Sequence, residues 1–210
     1  MKPILVTQRL MNIAEYDEIR ECLDIRWGAF LQQCGFLSVI LPVNANIEDY
    51  LNFFKPQGLI LTGGNDVACY QPGDFLNKKR DEFELSLIDM IIGRKMPILG
   101  VCHGMQLIAH YFGLPLQKVE GHITDSHPIK INEQSIFGKF YKDGETVNSY
   151  HRFAVTNNDD TFLTGVRMAK DEIIEGFQHR KYKIAAIMWH PERNKVFDQR
   201  DFSFFMDYFA

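Results

Sequence analysis

The sequence lacks the features that mark several large classes of protein. It has no apolar run of about 18 residues, the length that a membrane-spanning helix requires, and no apolar leader segment at its start. Its formal net charge of −4 argues against a nucleic-acid-binding surface, which is usually basic. We therefore expect a cytoplasmic protein that binds neither nucleic acid nor a membrane.

Cysteine is scarce, and its spacing suggests neither a disulfide framework nor a metal site. The four cysteines form no C-x-x-C pair, and disulfides are rare in the cytoplasm. Four histidines also stand without a ligand-like grouping in the sequence: His110, His122, His127 and His179. We expect no metal and no cofactor, and a chemical role for one cysteine, Cys102.

Short apolar runs alternate with amphipathic segments, which predicts an α/β fold with a doubly wound, mainly parallel sheet. Strands are expected at residues 3–7, 36–41, 58–61, 97–101, 129–131, 146–150, 172–178 and 183–189. Helices are expected at residues 17–34, 47–54 and 80–94, with an aromatic one closing the chain. No linker or repeat divides the sequence, so we expect residues 1–210 to form one domain.

The segment 100–104 reads GVCHG and follows an apolar run. This is the nucleophile-elbow pattern, in which a strand turns sharply into a helix and exposes the central side chain. The two glycines allow close packing around a strained residue. Cys102 occupies the position of the nucleophile, and the dipole of the following helix stabilises a thiolate there.

A second chemical group follows the last predicted strand, where the sequence reads His190-Pro191-Glu192. Pro191 keeps His190 extended, and residues two apart in an extended chain point the same way. Because ligands bind at the carboxyl ends of parallel strands, Cys102 and His190 are expected to meet there. Such a triad allows a thiolate to attack an acyl carbon, with His190 as base and Glu192 as its orienting group.

Four motifs in a fixed order carry a family resemblance. They are LTGG at 61–64, GVCHGMQ at 100–106, NSYH at 148–151 and WHPE at 189–192. Together they resemble the class I (triad) glutamine amidotransferase superfamily, and more closely its stand-alone γ-glutamyl hydrolase branch. The resemblance covers about residues 59–192.

The resemblance implies a flavodoxin-like core with helices on both faces and a γ-glutamyl-thioester on Cys102 that water hydrolyses. It implies an oxyanion hole made by Gly64 and His103, of which the backbone amide rather than the ring of His103 is expected to matter. The substrate-binding residues expected on this basis, with Arg9 added for a phosphate-bearing leaving group, are Gly63, Asn65, Gln106, Asn148, Ser149, Tyr150, His151 and Arg9.

Two N-terminal segments, 7–9 and 16–27, resemble a small subgroup associated with surface-polysaccharide gene clusters. This likeness implies a phosphoramidate leaving group and a role in capsule polysaccharide modification. Arg9 follows a predicted strand end near the cleft, where its guanidinium could bind a phosphate through paired hydrogen bonds.

Several alternatives stay open at this point. His151 competes with His190 as the base, although only His190 has a carboxylate two residues further on. The chain could also be the glutaminase component of a two-protein amidotransferase, delivering ammonia to a partner synthase. A catalytically silent binding protein on the same fold is a third interpretation. An α/β-hydrolase is disfavoured, because there the acid precedes the histidine.

Overall fold

The computed structural model describes residues 1–70 and 73–210, with residue 125 described by its backbone alone. Thirteen strands lie in this part of the chain: β1 (Lys2–Val6), β2 (Arg9–Ile13), β3 (Glu18–Cys22), β4 (Phe36–Ile40), β5 (Leu59–Leu61), β6 (Ile98–Val101), β7 (Leu116–Lys118), β8 (Ile123–Ile131), β9 (Thr146–Tyr150), β10 (Phe153–Val155), β11 (Phe162–Met168), β12 (Ile174–His179) and β13 (Ile184–Ile187). Five α-helices accompany them: α1 (Arg26–Gln33), α2 (Ile47–Phe54), α3 (Phe75–Gly93), α4 (His103–Tyr111) and α5 (Gln199–Tyr208).

The centre of the molecule is a parallel sheet of five strands in the order β4-β1-β5-β6-β13. Numbered along the chain, these strands stand in the order 2-1-3-4-5, which is the flavodoxin-like arrangement. Their carboxyl ends lie at one edge of the sheet, and the segments that follow β5, β6 and β13 begin with Thr62, Cys102 and Met188. The doubly wound fold expected from the sequence is confirmed.

An antiparallel extension continues the sheet beyond β13, in the order β12-β11-β8-β9. Strand β10 pairs with both β12 and β7. The region around 121–155, where the sequence pattern is broken, therefore supplies strands to this extension, with β9 at its far edge. The expected hairpin near the end of the chain is formed by β12 and β13.

Helices cover both faces of the sheet. Right-handed crossovers place α1 on one face and α2, α3 and α4 on the other, because the strand order reverses after β4. Helix α5 joins α1, as its Phe202 and Phe205 pack on Phe30 with ring centroids 5.3 and 4.9 Å apart. On the opposite side α3 contacts α4. Among the described residues, no helix has both the length and the hydropathy needed to cross a bilayer.

The prediction of a helix at residues 17–34 is wrong for the first half of that range. Strands β2 and β3 form an antiparallel hairpin there, whose turn places Asp17 in a left-handed conformation (φ 49°), and α1 begins only at Arg26. The backbone N–H and C=O of Leu10 are both bound by the Asn65 side chain, at 3.2 Å each. The apolar residues in this first half have helical spacing, but they do not form a buried helix face, since Ile19 is exposed. Long-range hydrogen bonds decide the local conformation instead.

Helix α3 begins earlier than the expected residue 80. Asp74 is its N-cap, and the side-chain carboxylate accepts hydrogen bonds from the backbone amides of Leu76 and Asn77. Such a cap satisfies amide groups that have no partner within the helix. The additional residues place Arg80 in the second turn of the helix rather than at its start.

Candidate active site

Cys102 stands at the sharp turn between β6 and α4, with φ 52° and ψ −103°. The glycines on either side make this turn possible. A Cβ on Gly100 would lie 2.6 Å from the backbone of Gly104, and a Cβ on Gly104 would collide with the carbonyl group of Leu61. Close packing of α4 on the sheet therefore requires glycine at both positions, and it holds Cys102 in a conformation that costs on the order of 1–3 kcal/mol.

The backbone around Cys102 is fixed on both sides. Its backbone N–H donates to the carbonyl of Ile187 at 2.8 Å, and its backbone C=O accepts from the backbone N–H of Gln106 at 3.0 Å. His103 is the first residue of α4, so its amide has no acceptor within the helix. Cys102 as a whole residue is 8% exposed. Its thiol lies at the N-terminus of α4, the positive end of the helix dipole.

His190 follows β13 and is held from two directions. Its Nδ1 lies 2.8 Å from Oε1 of Glu192, and both side chains are buried. The carboxamide of Asn148 binds the backbone of His190 on both sides, accepting from its N–H and donating to its C=O at 2.8 Å each. The ring therefore has a fixed orientation, and its Nε2 makes no hydrogen bond within the described residues.

The structure brings His190 and Cys102 together beside Gly63. A Cβ on Gly63 would lie 2.5 Å from Cε1 of His190 and 3.4 Å from the Cβ of Cys102. Burial by itself would lower the pKa of His190. Electrostatic interaction with Cys102 and Glu192 outweighs that effect and raises the pKa of His190 to about 9. His190 can therefore carry a proton at neutral pH while it lies beside Cys102.

The turn after β5 is held from beneath by a buried arginine that the sequence analysis did not single out. Arg80 donates from Nη2 to the Thr62 carbonyl at 2.7 Å, and from Nη1 to the Gly63 carbonyl and to Oδ1 of Asn65 at 3.3 Å. It pairs with Glu84 at 3.0 Å, and both side chains are 0% exposed. An Arg–Glu pair four residues apart in a helix looks like an ordinary surface pair in sequence, so only the burial of α3 shows its role.

The His103 ring contacts the same helix rather than the thiol. Its Nε2 lies 3.0 Å from Oδ1 of Asp81 and its Nδ1 lies 3.4 Å from Oε2 of Glu84. The ring therefore has partners of its own in α3, and the role of the His103 backbone amide in an oxyanion hole stays a prediction. The side chain instead links α4 to the charged network under the turn.

A cavity of about 400 Å³ opens over Cys102. Among its lining residues are five of the expected site residues: Gly64, Asn65, Gln106, Tyr150 and His151. Gly64 has φ +136°, and a Cβ there would lie 2.8 Å from the side chain of Arg9, so the position requires glycine. Arg152 lines the same cavity and adds a cationic group to it.

Other expected substrate-binding residues are engaged within the protein. The Gln106 side chain donates to the Phe153 carbonyl at 2.8 Å while still lining the cavity. The amide group of Asn65 holds Leu10, and that of Asn148 holds His190. Ser149 is buried and donates to the carbonyl of His122. Direct contact of these side chains with a substrate stays a prediction.

A smaller cavity of about 120 Å³ lies on the other side of Gly64, lined also by Gly63, Glu192, Arg193 and Arg9. The Arg9 side chain is exposed at the start of β2 and has no salt bridge or hydrogen bond of its own among those found in the described residues. The β2–β3 hairpin thus carries a cation to the rim of the cleft, next to the Cys102–His190 pair. A cavity of about 500 Å³ elsewhere holds none of the expected residues.

His151, the competing base, also lines the larger cavity. Its Nδ1 lies 3.2 Å from the Phe153 carbonyl oxygen and its Nε2 lies 3.3 Å from Oε1 of Glu175. Both ring nitrogens are therefore directed into the protein, and the geometry favours His190. The expectation that His122 lacks a ligand-like grouping is wrong, because donor atoms of His122, His151 and Glu175 lie within 4.8 Å of one another.

The sequence model of the peptidase C26 family matches residues 5–192. The chain belongs to the peptidase C26 family. This confirms the resemblance to γ-glutamyl hydrolases and class I glutamine amidotransferases that the four motifs indicate. The match runs from β1 to Glu192 and therefore includes the whole parallel core and the Cys102–His190 pair.

This peptidase C26 member is similar to two curated proteins and to one solved structure. It is 36% identical over 190 residues to the gamma-glutamyl-CDP-amidate hydrolase of Campylobacter jejuni, covering 90% of this chain and 88% of that protein. It is 32% identical over 162 residues to the glutamine-hydrolyzing GMP synthase of Campylobacter hominis, covering 77% of this chain and 29% of that enzyme. The crystal structure of a proposed GMP synthase component from Thermoplasma acidophilum shares the fold with a TM-score of 0.75 at 23% identity, over 100% of this chain and 92% of that one.

Substituting Arg80 by methionine tests the support beneath the turn. We expect Arg80→Met to lower the free energy of unfolding by about 3–5 kcal/mol, because it leaves Glu84 as an unpaired charge in the interior. Urea denaturation of the purified chain measures this loss.

Lys78→Met is the matched control, since Lys78 and Glu82 have the same spacing on the same helix but are 70% and 66% exposed. We expect it to change the unfolding free energy by less than about 0.5 kcal/mol. Equal effects of the two substitutions would show that the buried pair does not support the turn.

Proposed function

We propose that this protein is a hydrolase that cleaves a γ-glutamyl amide through a thioester on Cys102. The observation that carries the proposal is the meeting of Cys102, at its strained turn, with a buried imidazole whose other nitrogen lies 2.8 Å from Glu192. Nucleophile, acid–base group and orienting carboxylate are the three parts that such chemistry needs. The mechanism uses these protein groups alone.

In the first step the thiolate of Cys102 attacks the γ-carbonyl carbon of the substrate. The carbonyl oxygen gains negative charge and is stabilised by the backbone amides of Gly64 and His103. When the tetrahedral intermediate collapses, the C–N bond breaks and the imidazolium of His190 gives its Nε2 proton to the departing nitrogen. The γ-glutamyl group stays on sulfur as a thioester.

In the second step water replaces the departed amine. Neutral His190 takes a proton from the water, whose oxygen attacks the thioester carbon, and the C–S bond then breaks. Glutamate leaves, and the thiolate–imidazolium pair is restored. Glu192 orients the ring and stabilises its positive charge throughout, without itself transferring a proton.

The two cavities suggest which part of the substrate binds on each side of Gly64. The cavity over Cys102 has the cation of Arg152 and the polar groups of Tyr150 and Gln106, which suit the charged end of a glutamyl group. The smaller cavity, on the far side of Gly64, has Arg9 at its rim, which suits a phosphate. The position of Arg9 thus supports a leaving group that carries phosphate.

The named relative from Campylobacter jejuni supports a specific substrate. We take this to be γ-glutamyl-CDP-amidate, which hydrolysis would convert to glutamate and cytidine diphosphoramidate. The reaction belongs in the cytoplasm, and its phosphoramidate product would serve the modification of a capsule polysaccharide. A glutaminase that works with a fused or partnered synthase is a second candidate, favoured by the likeness to part of a GMP synthase.

Glutamate release by the purified chain alone tests the proposal. We expect the highest kcat/KM with γ-glutamyl-CDP-amidate, lower values with γ-glutamyl-γ-aminobutyrate and with glutamine, and none with any of them after Cys102→Ala. Turnover of glutamine that requires an added synthase would favour the two-protein amidotransferase. Failure to release glutamate from every γ-glutamyl amide would overturn the hydrolase.

The same assay tests the phosphate subsite through Arg9→Ala. Loss of a charge-assisted hydrogen bond predicts a decrease in kcat/KM of about 10- to 100-fold for the nucleotide-linked substrate, with little change for glutamine. Arg20→Ala is the matched control, because Arg20 lies on the same hairpin and pairs with Glu18. An equal loss on both substrates would place Arg9 outside the leaving-group subsite.

The pH profile tests the acid–base assignment. Since His190 must carry a proton to release the amine, kcat/KM should fall as pH rises through its pKa of about 9. Glu192→Gln removes a negative charge that raises this pKa, so the alkaline limb should move to lower pH while partial activity remains. Glu82→Gln, on the exposed face of α3, should leave the profile unchanged. If the alkaline limb does not move in Glu192→Gln, Glu192 does not influence the pKa of the group that sets this limb.

A further inference from the structure

Beside the catalytic cleft, the antiparallel part of the sheet brings three histidines to one buried carboxylate. His151 Nε2 lies 3.3 Å and His122 Nδ1 lies 3.7 Å from Oε1 of Glu175, and His127 Nε2 lies 3.8 Å from Oε2. All four residues are buried. They come from β12, from β8 and its preceding residue, and from the residue after β9, so the cluster joins three segments that are distant in sequence.

The outer nitrogen of each ring faces an oxygen that can only accept a hydrogen bond. His122 Nε2 lies 3.0 Å from Oδ2 of Asp171. His151 Nδ1 and His127 Nδ1 lie 3.2 and 3.3 Å from the carbonyl oxygens of Phe153 and Pro128. With hydrogens on the outer nitrogens, the inner nitrogens of the three rings point toward Glu175, where each can act as a metal ligand when it carries no hydrogen.

This arrangement leaves polar atoms without partners. His122 Nδ1, His127 Nε2 and Oε2 of Glu175 are buried and form no hydrogen bond within the described residues. Buried polar atoms are nearly always satisfied, so each exception calls for an explanation. A cation placed between His122, His151 and Glu175 would give His122 Nδ1 a partner and would balance the buried carboxylate.

The spacing of the donors fits a small transition-metal ion. Donor atoms of His122, His151 and Glu175 lie within 4.8 Å of one another. Ligands about 2.0–2.1 Å from a tetrahedral Zn²⁺ are about 3.4 Å apart, close to the 3.3 and 3.7 Å that separate each imidazole nitrogen from Oε1. The two imidazole nitrogens lie within 4.8 Å of each other, so binding would draw the two rings together. Imidazole with carboxylate is also a donor set that suits zinc.

We propose that His122, His151 and Glu175 form a zinc site. His127 lies 3.8 Å from the second carboxylate oxygen, while Asp171 and the backbone carbonyl of Phe153 fix the rings of the two histidine ligands. A cavity lined by His122 and His151 gives access from solvent, so that water can take the fourth position. This inference does not rest on the proposed reaction.

The ion would stabilise one wall of the catalytic cleft. His151 directly follows Tyr150, and both residues line the cavity over Cys102. Tying His151 to the strands that carry His122 and Glu175 would hold that wall in place without contact to the reacting atoms. The zinc is therefore structural, and its binding can be measured without an activity assay.

The test uses the full chain, stripped of metal with a chelator and titrated with Zn²⁺. We expect one zinc ion per chain by calorimetry and elemental analysis, a higher Tm with zinc, and a tetrahedral absorption band when Co²⁺ replaces it. Glu175→Gln should abolish all three signals. Asp171→Asn, at a side chain 37% exposed, should weaken zinc binding by about 10- to 100-fold without affecting folding.

His110→Ala is the matched control, because His110 faces Cys69 at 3.7 Å and offers another pair of zinc donors. It should bind zinc as the wild type does. Loss of binding in His110→Ala, binding unaffected by both Asp171→Asn and Glu175→Gln, or less than stoichiometric zinc in the wild type would each overturn the proposed site. Circular dichroism of each variant shows whether a lost signal reflects unfolding.

Discussion

The site depends on how closely α4 packs against the parallel sheet. Only glycine at position 104 lets the first turn of this helix lie against the carbonyl of Leu61, and only glycine at position 100 leaves room for that turn. Cys102, which lies between these two glycines, has a positive φ of 52°. Packing of the surrounding core, including Leu61, Met105 and Ile108, offsets the local strain and directs the thiol into the cleft.

Buried charge forms a second layer under this geometry. Arg80 and Glu84 hold the turn at Gly63, and the ring of His103 links them to α4. Breaking such a pair is costly because the remaining partner stays charged in the interior. A similar constraint operates at His190, whose backbone is clamped by Asn148 while its ring contacts Glu192. Backbone anchors and buried ion pairs thus fix atoms that must meet across a long stretch of sequence.

Much of this could be predicted from sequence, for identifiable reasons. The parallel core follows from apolar runs bounded by turns, and the elbow follows from two glycines around Cys102. The hairpin at residues 9–22 could not be predicted from sequence, since its conformation depends on the hydrogen bonds between Asn65 and Leu10. The burial of Arg80 and the meeting of His122, His151 and Glu175 also escape sequence reasoning, because they depend on which helix face is covered and on strand register.

The central claim is that Cys102 carries the γ-glutamyl group between the two steps. Acid-quenched samples taken during turnover of a γ-glutamyl amide, analysed by intact mass spectrometry and peptide mapping, test it most directly. The account predicts a mass increase of one glutamyl residue, located on the peptide that contains Cys102 and removed by hydroxylamine. Continuing turnover with no such adduct, or an adduct confined to Cys22 or Cys69, would contradict it.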